Sequence, residues 1–207
     1  MGKEPRESGT GHHMDLAPML EDIREYYVNH FVDTVNEHTA ADDATIVYEA
    51  AFCDDKGQIA TEGQLDLPAR GDLIVVRDGL ISDSIQIDTE GMVSFEALSF
   101  DWPGNGVKVE LSPFQWNWLQ LRIYGLQPDT DWAPLCDWFK RWFRENDPAD
   151  GELLDGIHFM SDPEDVGGCA QLAIDLGTAP IESFQELVDA LGPLGADRVE
   201  IGQFDIL

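Results

Sequence analysis

The order of hydrophobic periods after residue 115 constrains the fold more than any other feature of the chain. "WNWLQLRIYG" is short, aromatic and apolar, and reads as a strand. From about Asp131 to Glu145 the apolar positions recur at helical spacing. "GIHFMS" and "CAQLAIDLG" read as strands joined through "DPEDVGG". "PIESFQELVDAL" reads as a helix with Pro180 near its first turn, where a missing amide costs nothing. "DRVEIGQF" is the closing strand.

The order β-α-β-β-α-β is that of the ferredoxin-like split βαβ, whose helices cover one sheet face through right-handed crossovers. That topology hosts many unrelated functions and by itself names none. Upstream, "DLAPMLEDIREYYVNHFVDTVNEH" places Leu16, Met19, Leu20, Ile23, Tyr27, Phe31 and Val35 at helical spacing, with Asp15 as the cap of a helix over about 16–37. Between Thr45 and about Phe114, segments such as "TIVYEAAFC", "QIATEGQLDL", "DLIVVRDG" and "VKVELSPF" are punctuated by Gly, Asp and Pro. They predict an antiparallel meander of five or six strands. In "MVSFEALSF", Val93, Phe95, Ala97 and Ser99 alternate with Ser94, Glu96, Leu98 and Phe100, a strand period. The expected class is therefore α+β: a flexible tail or tag remnant over 1–13, a helix plus antiparallel sheet over 14–115, and a ferredoxin-like unit over 116–207.

The segment "WAPLCDWFKRWFREN" tests whether aromatics and bases form one sticky surface. On a helix of about 100° per residue, Trp132, Leu135, Cys136, Phe139, Trp142 and Phe143 share one stripe, flanked by Trp138. Lys140, Arg141 and Arg144 fall on the other side with Asp137 and Glu145, forming the i,i+4 pairs Asp137–Arg141 and Arg141–Glu145. A stacking groove for nucleic acid needs both kinds of residue facing one ligand, so this is a core helix. Trp138 and Trp142, at one edge of the stripe, are the candidate anchors for a protein interface.

Charge is the outlier of the composition. There are 41 Asp and Glu against 12 Lys and Arg, a formal net of −29. Such a field repels phosphate backbones and anionic lipid, which excludes direct nucleic-acid or membrane binding, and it accelerates encounter with a cationic partner. No apolar run reaches the roughly 20 residues of a membrane helix. Three cysteines without a close pair, and no apolar leader, point to a cytoplasmic protein.

Catalytic signatures are sparse. His30, Asp33 and Glu37 share one helix at spacings of three and four and form a candidate metal set; a solvated helix face is the bland reading. His158 sits in a predicted strand between Asp155 and Asp162, a candidate base oriented by a carboxylate. A packed histidine is its ordinary alternative. By alternation, His158 and Met160 face opposite to Ile157 and Phe159. Cys169 has no adjacent basic group to activate it, and no nucleophile elbow or phosphate loop is present.

No cofactor is expected. The expected function is an acidic, non-enzymatic protein that grips a basic protein in the manner of an immunity protein, an inhibitor or a nucleic-acid mimic. Asp162, Glu164 and Asp165, with Trp138 and Trp142, are its candidate contacts. The alternatives are a small-ligand-binding protein or hydrolase built on His158 and its carboxylates, and an ordinary protein adapted to salt. A deep pocket beside His158 separates the second reading from the first.

Overall fold

The computed structural model describes residues 16–39, 45–89, 91–144 and 153–204. The tail expected over 1–13, the Asp15 cap and the Arg141–Glu145 pair lie outside them. The chain is α+β, with three helices among the described residues.

Helix α1 (Ala17–Thr39) buries Leu20, Ile23, Tyr27 and Phe31, the i, i+3, i+4 stripe of an amphipathic helix. Helix α2 (Ala133–Phe143) begins where the Asp131 carboxylate accepts the Ala133 amide, with proline in its first turn. It buries Leu135, Trp138, Phe139 and Phe143, and Lys140 and Arg141 stay exposed. Aromatics and bases are thus segregated. Helix α3 (Ile181–Leu191) packs against α2, and the Trp138 indole donates to the Ser183 carbonyl at 2.9 Å.

Among the described residues the strands form three sheets. β1 (Thr45–Ala51), β4 (Arg70–Arg77) and β5 (Leu80–Ile85) make an antiparallel set in the order β1-β4-β5. β2 (Thr61–Glu62) and β3 (Leu67–Pro68) make a short hairpin. The large sheet comprises β6 (Leu98–Asp101), β7 (Lys108–Leu111), β8 (Leu119–Tyr124), β9 (Phe159–Met160), β10 (Glu164–Val166), β11 (Cys169–Asp175) and β12 (Arg198–Gly202). Its order is β10-β11-β8-β12-β7-β6, with β9 also paired to β11. All its pairs are antiparallel except β12 with β7.

Register aligns Val109, Val199 and Ile123 across the sheet, and likewise Leu111, Ile201, Leu121 and Leu172; all are buried. The alternate positions carry a polar ladder. Arg198 bridges Glu110 and Glu200 and lies over the Tyr124 ring, and Arg122 donates to Gln171. One side of the sheet is therefore core and the other is wet, as alternation requires.

The segments expected as one meander divide between sheets. β6 and β7 join the large sheet, and the boundary expected near residue 115 falls between β7 and β8 of that same sheet. Period-two patterning identifies a strand but carries no information on its partner. "QIATEGQLDL" turns back on itself between β2 and β3. In "MVSFEALSF" only Leu98 onward is strand, because alternation breaks where Glu96 and Ala97 are both exposed. Part of the expected "DPEDVGG" turn is itself strand β10.

Candidate functional site

The site is built from carboxylates placed inside apolar strands. Glu49 lies in β1, Asp72 in β4 and Asp175 at the end of β11, and all three are buried. They surround His158, which precedes β9 and is 0% exposed. Backbone bonds pin the histidine: its amide donates to the Asp175 carbonyl at 3.0 Å, and its carbonyl accepts the Arg70 amide at 2.9 Å.

Both ring nitrogens face carboxylates. Nδ1 is 2.8 Å from Asp72 Oδ1 and 3.8 Å from Asp175 Oδ2, and Nε2 is 3.0 Å from Glu49 Oε1. A neutral imidazole donates to one of these neighbours and an imidazolium to two. The remaining carboxylate oxygens are satisfied from the backbone. The Leu154 amide donates to Glu49 at 2.7 Å, the Ile87 amide to Asp72 at 2.6 Å and the Gly177 amide to Asp175 at 2.8 Å. The Thr178 hydroxyl donates to Glu49 Oε1.

Burial acts against the imidazolium, but Asp175, Asp72 and Glu49 outweigh it and raise the His158 pKa to about 10. Burial pushes Asp175 up to about 7, against the pull of His158. Burial also disfavours the Glu49 anion, yet the bonds from His158, Leu154 and Thr178 hold its pKa below the ordinary value.

Two further features mark the place. Glu49 has a left-handed backbone, φ +53°, in the middle of β1. A non-glycine residue held there costs about 1–3 kcal/mol, and such strain clusters at working sites. The Tyr27 hydroxyl from α1 is buried with no hydrogen-bond partner among the described residues. Burial first, then the charges of Asp175, Asp72 and Glu49, raise its pKa well above the usual value.

A cleft of about 960 Å³ opens onto Asp72 and Asp175. Phe52, Leu67, Trp118, Phe159 and Met160 line it, with Glu62, Asp162 and Glu164 as further carboxylates. Phe52 and Trp118 are 46% and 38% exposed. Arg70 also borders the cleft, but its guanidinium turns inward to the carbonyls of Glu49, Phe143 and Arg144 and lies 4.3 Å from the Phe143 ring centroid.

Of the residues singled out from sequence, His158 is central, with neighbours other than those expected. Asp155 pairs with Arg24, and Asp162 accepts the Gln64 and Leu65 amides to hold the β2–β3 turn. Glu164 and Asp165 are exposed on β10, and Asp165 accepts the Gly168 amide. Trp138 is 2% exposed and part of the core, so it offers no surface to a partner; Trp142 is half-buried and donates to Glu186. His30, Asp33 and Glu37 all lie on the exposed side of α1. Among the described residues, the metal-ligand atoms that converge are those of Asp72, His158 and Asp175. Nothing in the sequence sets Glu49, Asp72 and Asp175 apart: Glu110 and Glu200 are also lone carboxylates within apolar strands, and they belong to the wet side of the sheet.

Against protein-family models, curated proteins and solved structures, the chain has no match.

Proposed function

We propose that this chain works through the cleft, as a small-ligand-binding protein whose ligand joins a positive charge to an apolar body. The observation that carries the reading is the lining: among the described residues, five carboxylates and an aromatic and apolar wall surround about 960 Å³, and Arg70 at its border is engaged elsewhere. Sites of this size take small molecules, and a few placed polar groups set their orientation. His158, buried and bonded at both nitrogens, does not touch the ligand; it holds Asp72 and Asp175 in place.

The test is calorimetric titration of the EDTA-treated full chain with benzylamine and spermidine, and with benzyl alcohol as the neutral control. The amines bind and Glu62→Gln weakens them; equal binding of the alcohol, or no binding of either amine, refutes the reading.

A second reading, an acidic surface for a basic protein, is supported by the exposure of Glu164 and Asp165 beside the cleft. It requires capture of a basic protein that is lost steeply as salt rises. For the C-terminal half, the strand order β10-β11-β8-β12 with the paired helices α2 and α3 supports a ferredoxin-like split βαβ.

A further inference from the structure

Asp72 and Asp175 line the cleft, and the buried cluster behind them holds more anionic groups than a histidine needs. Three buried carboxylates from three strands converge on one imidazole, and an unpartnered phenol is buried beside them. Asp72 Oδ1, His158 Nδ1 and Asp175 Oδ2 come from separate elements and lie within 4.8 Å of one another. Two ligands of a divalent ion, each bound at about 2.0–2.2 Å, stand roughly 3 Å apart or somewhat more, so Asp72 and Asp175 need only small side-chain shifts. On the far side of the ring, Nε2 faces Glu49, which the Leu154 amide and the Thr178 hydroxyl fix in turn. A carboxylate behind the imidazole is the arrangement that holds a histidine in the tautomer with its other nitrogen free to ligate.

We infer that Asp72, His158 and Asp175 bind a divalent transition-metal ion, with Glu49 orienting the imidazole and the Tyr27 hydroxyl facing the ion or its water. The inference stands beside the small-ligand reading of the cleft and uses the same opening as its entry path. One imidazole with two carboxylates suits Zn²⁺, Mn²⁺, Fe²⁺ or Co²⁺. On binding, Nδ1 gives up any proton it carries to solvent and donates its lone pair, while Nε2–H stays bonded to Glu49. The ion then supplies the positive charge that the three carboxylates require. Tyr27 gains a partner for a hydroxyl that has none among the described residues.

The experiment uses the full chain stripped with EDTA and titrated with Zn²⁺ and Co²⁺. It is run in about 1 M NaCl, where screening acts within about 3 Å and diffuse attraction of cations to the acidic surface is suppressed. One ion binds per chain, and Co²⁺ produces ligand-field absorption together with a paramagnetically shifted, exchangeable imidazole proton from Nε2–H. Asp175→Asn abolishes saturable binding. Glu49→Gln leaves every ligand in place and weakens binding about 10–100-fold, the usual effect of losing such a supporting carboxylate. It serves as the second variant if Asp175→Asn does not fold.

Absence of saturable binding in high salt overturns the inference. So does binding that neither variant alters, because the ion then sits elsewhere. Benzylamine binding measured in EDTA reports on the cleft without metal, so loss of the metal site and loss of the ligand site are separate results.

Discussion

Replacing Arg70 by methionine tests how the C-terminus of α2 is held to β1. The Arg70 guanidinium bonds the Phe143 carbonyl at 2.7 and 3.2 Å, the Arg144 carbonyl at 3.1 Å and the Glu49 carbonyl at 2.7 Å. It also lies 4.3 Å from the Phe143 ring centroid. The helix ends there because Arg144 takes a left-handed conformation, φ 54°, leaving carbonyls with no helical partner. A cation at this end also complements the helix dipole.

Methionine keeps the apolar stem but leaves the Glu49 and Phe143 carbonyls without their donor. A stranded buried acceptor costs about 1–3 kcal/mol, so the pair costs about 2–6 kcal/mol. Relief of the buried charge trims the upper end, giving an expected loss of about 4 kcal/mol. For a chain of this size that lowers Tm by about 8–16 °C. Urea unfolding followed by tryptophan fluorescence measures it, with an unchanged slope showing that the same surface is exposed. Arg70→Lys, which keeps the charge without the planar fork, recovers part of the loss. A methionine variant within about 1 kcal/mol of wild type would refute this account of the helix end.

Three other perturbations probe the core and the site. Gly177→Ala places a methyl 2.4 Å from the His158 ring and 2.5 Å from the Gly156 carbonyl, at a backbone φ of +53°; it costs about 2–5 kcal/mol in urea unfolding, and wild-type stability would show that the ring moves freely. Phe184→Ala removes a 1% exposed ring stacked 5.7 Å from Phe114 and loses about 3–5 kcal/mol, whereas truncating the exposed Trp118 stays within about 1 kcal/mol; similar losses at both positions would be the contrary result. In EDTA, His158 and Asp175 both hold protons more tightly folded than unfolded, with folded pKa values of about 10 and about 7 against 6.5 and 3.8. Asp175's contribution fades as pH climbs from about 4 to 7 and His158's from about 6.5 to 10, so the urea midpoint falls on going from pH 5 to pH 9. Asp175→Asn flattens the lower part of that fall; a midpoint that rises over this range contradicts it.

Helices α1, α2 and α3 were legible because each needs only a local stripe of apolar residues to declare itself. Several strands declared themselves by period-two alternation, but β10 lies in a segment expected as a turn and "QIATEGQLDL" folds back between β2 and β3. The angle per residue alone sets Arg141 opposite Phe139 and Phe143, whereas Lys140 lies only about 60° from Phe143 on the wheel and its exposure is decided by packing. Which strands would pair was not legible, as β7 shows by lying parallel to β12 across the expected domain boundary. Trp138, placed only at the flank of the stripe by the helical wheel, is buried because α3 packs over it and the Ser183 carbonyl accepts its indole N–H.

The histidine was visible, but its neighbours were not. Sequence proximity offered Asp155 and Asp162, and these bind Arg24 and the β2–β3 turn instead. The carboxylates at the ring come from 109, 86 and 17 residues away in the chain. Periodicity is set by the few bonds either side of a residue, so the chain alone determined the elements and the surplus of acid. Contact between distant strands is settled by the packing of all of them together, and that packing gathered Glu49, Asp72 and Asp175 around His158.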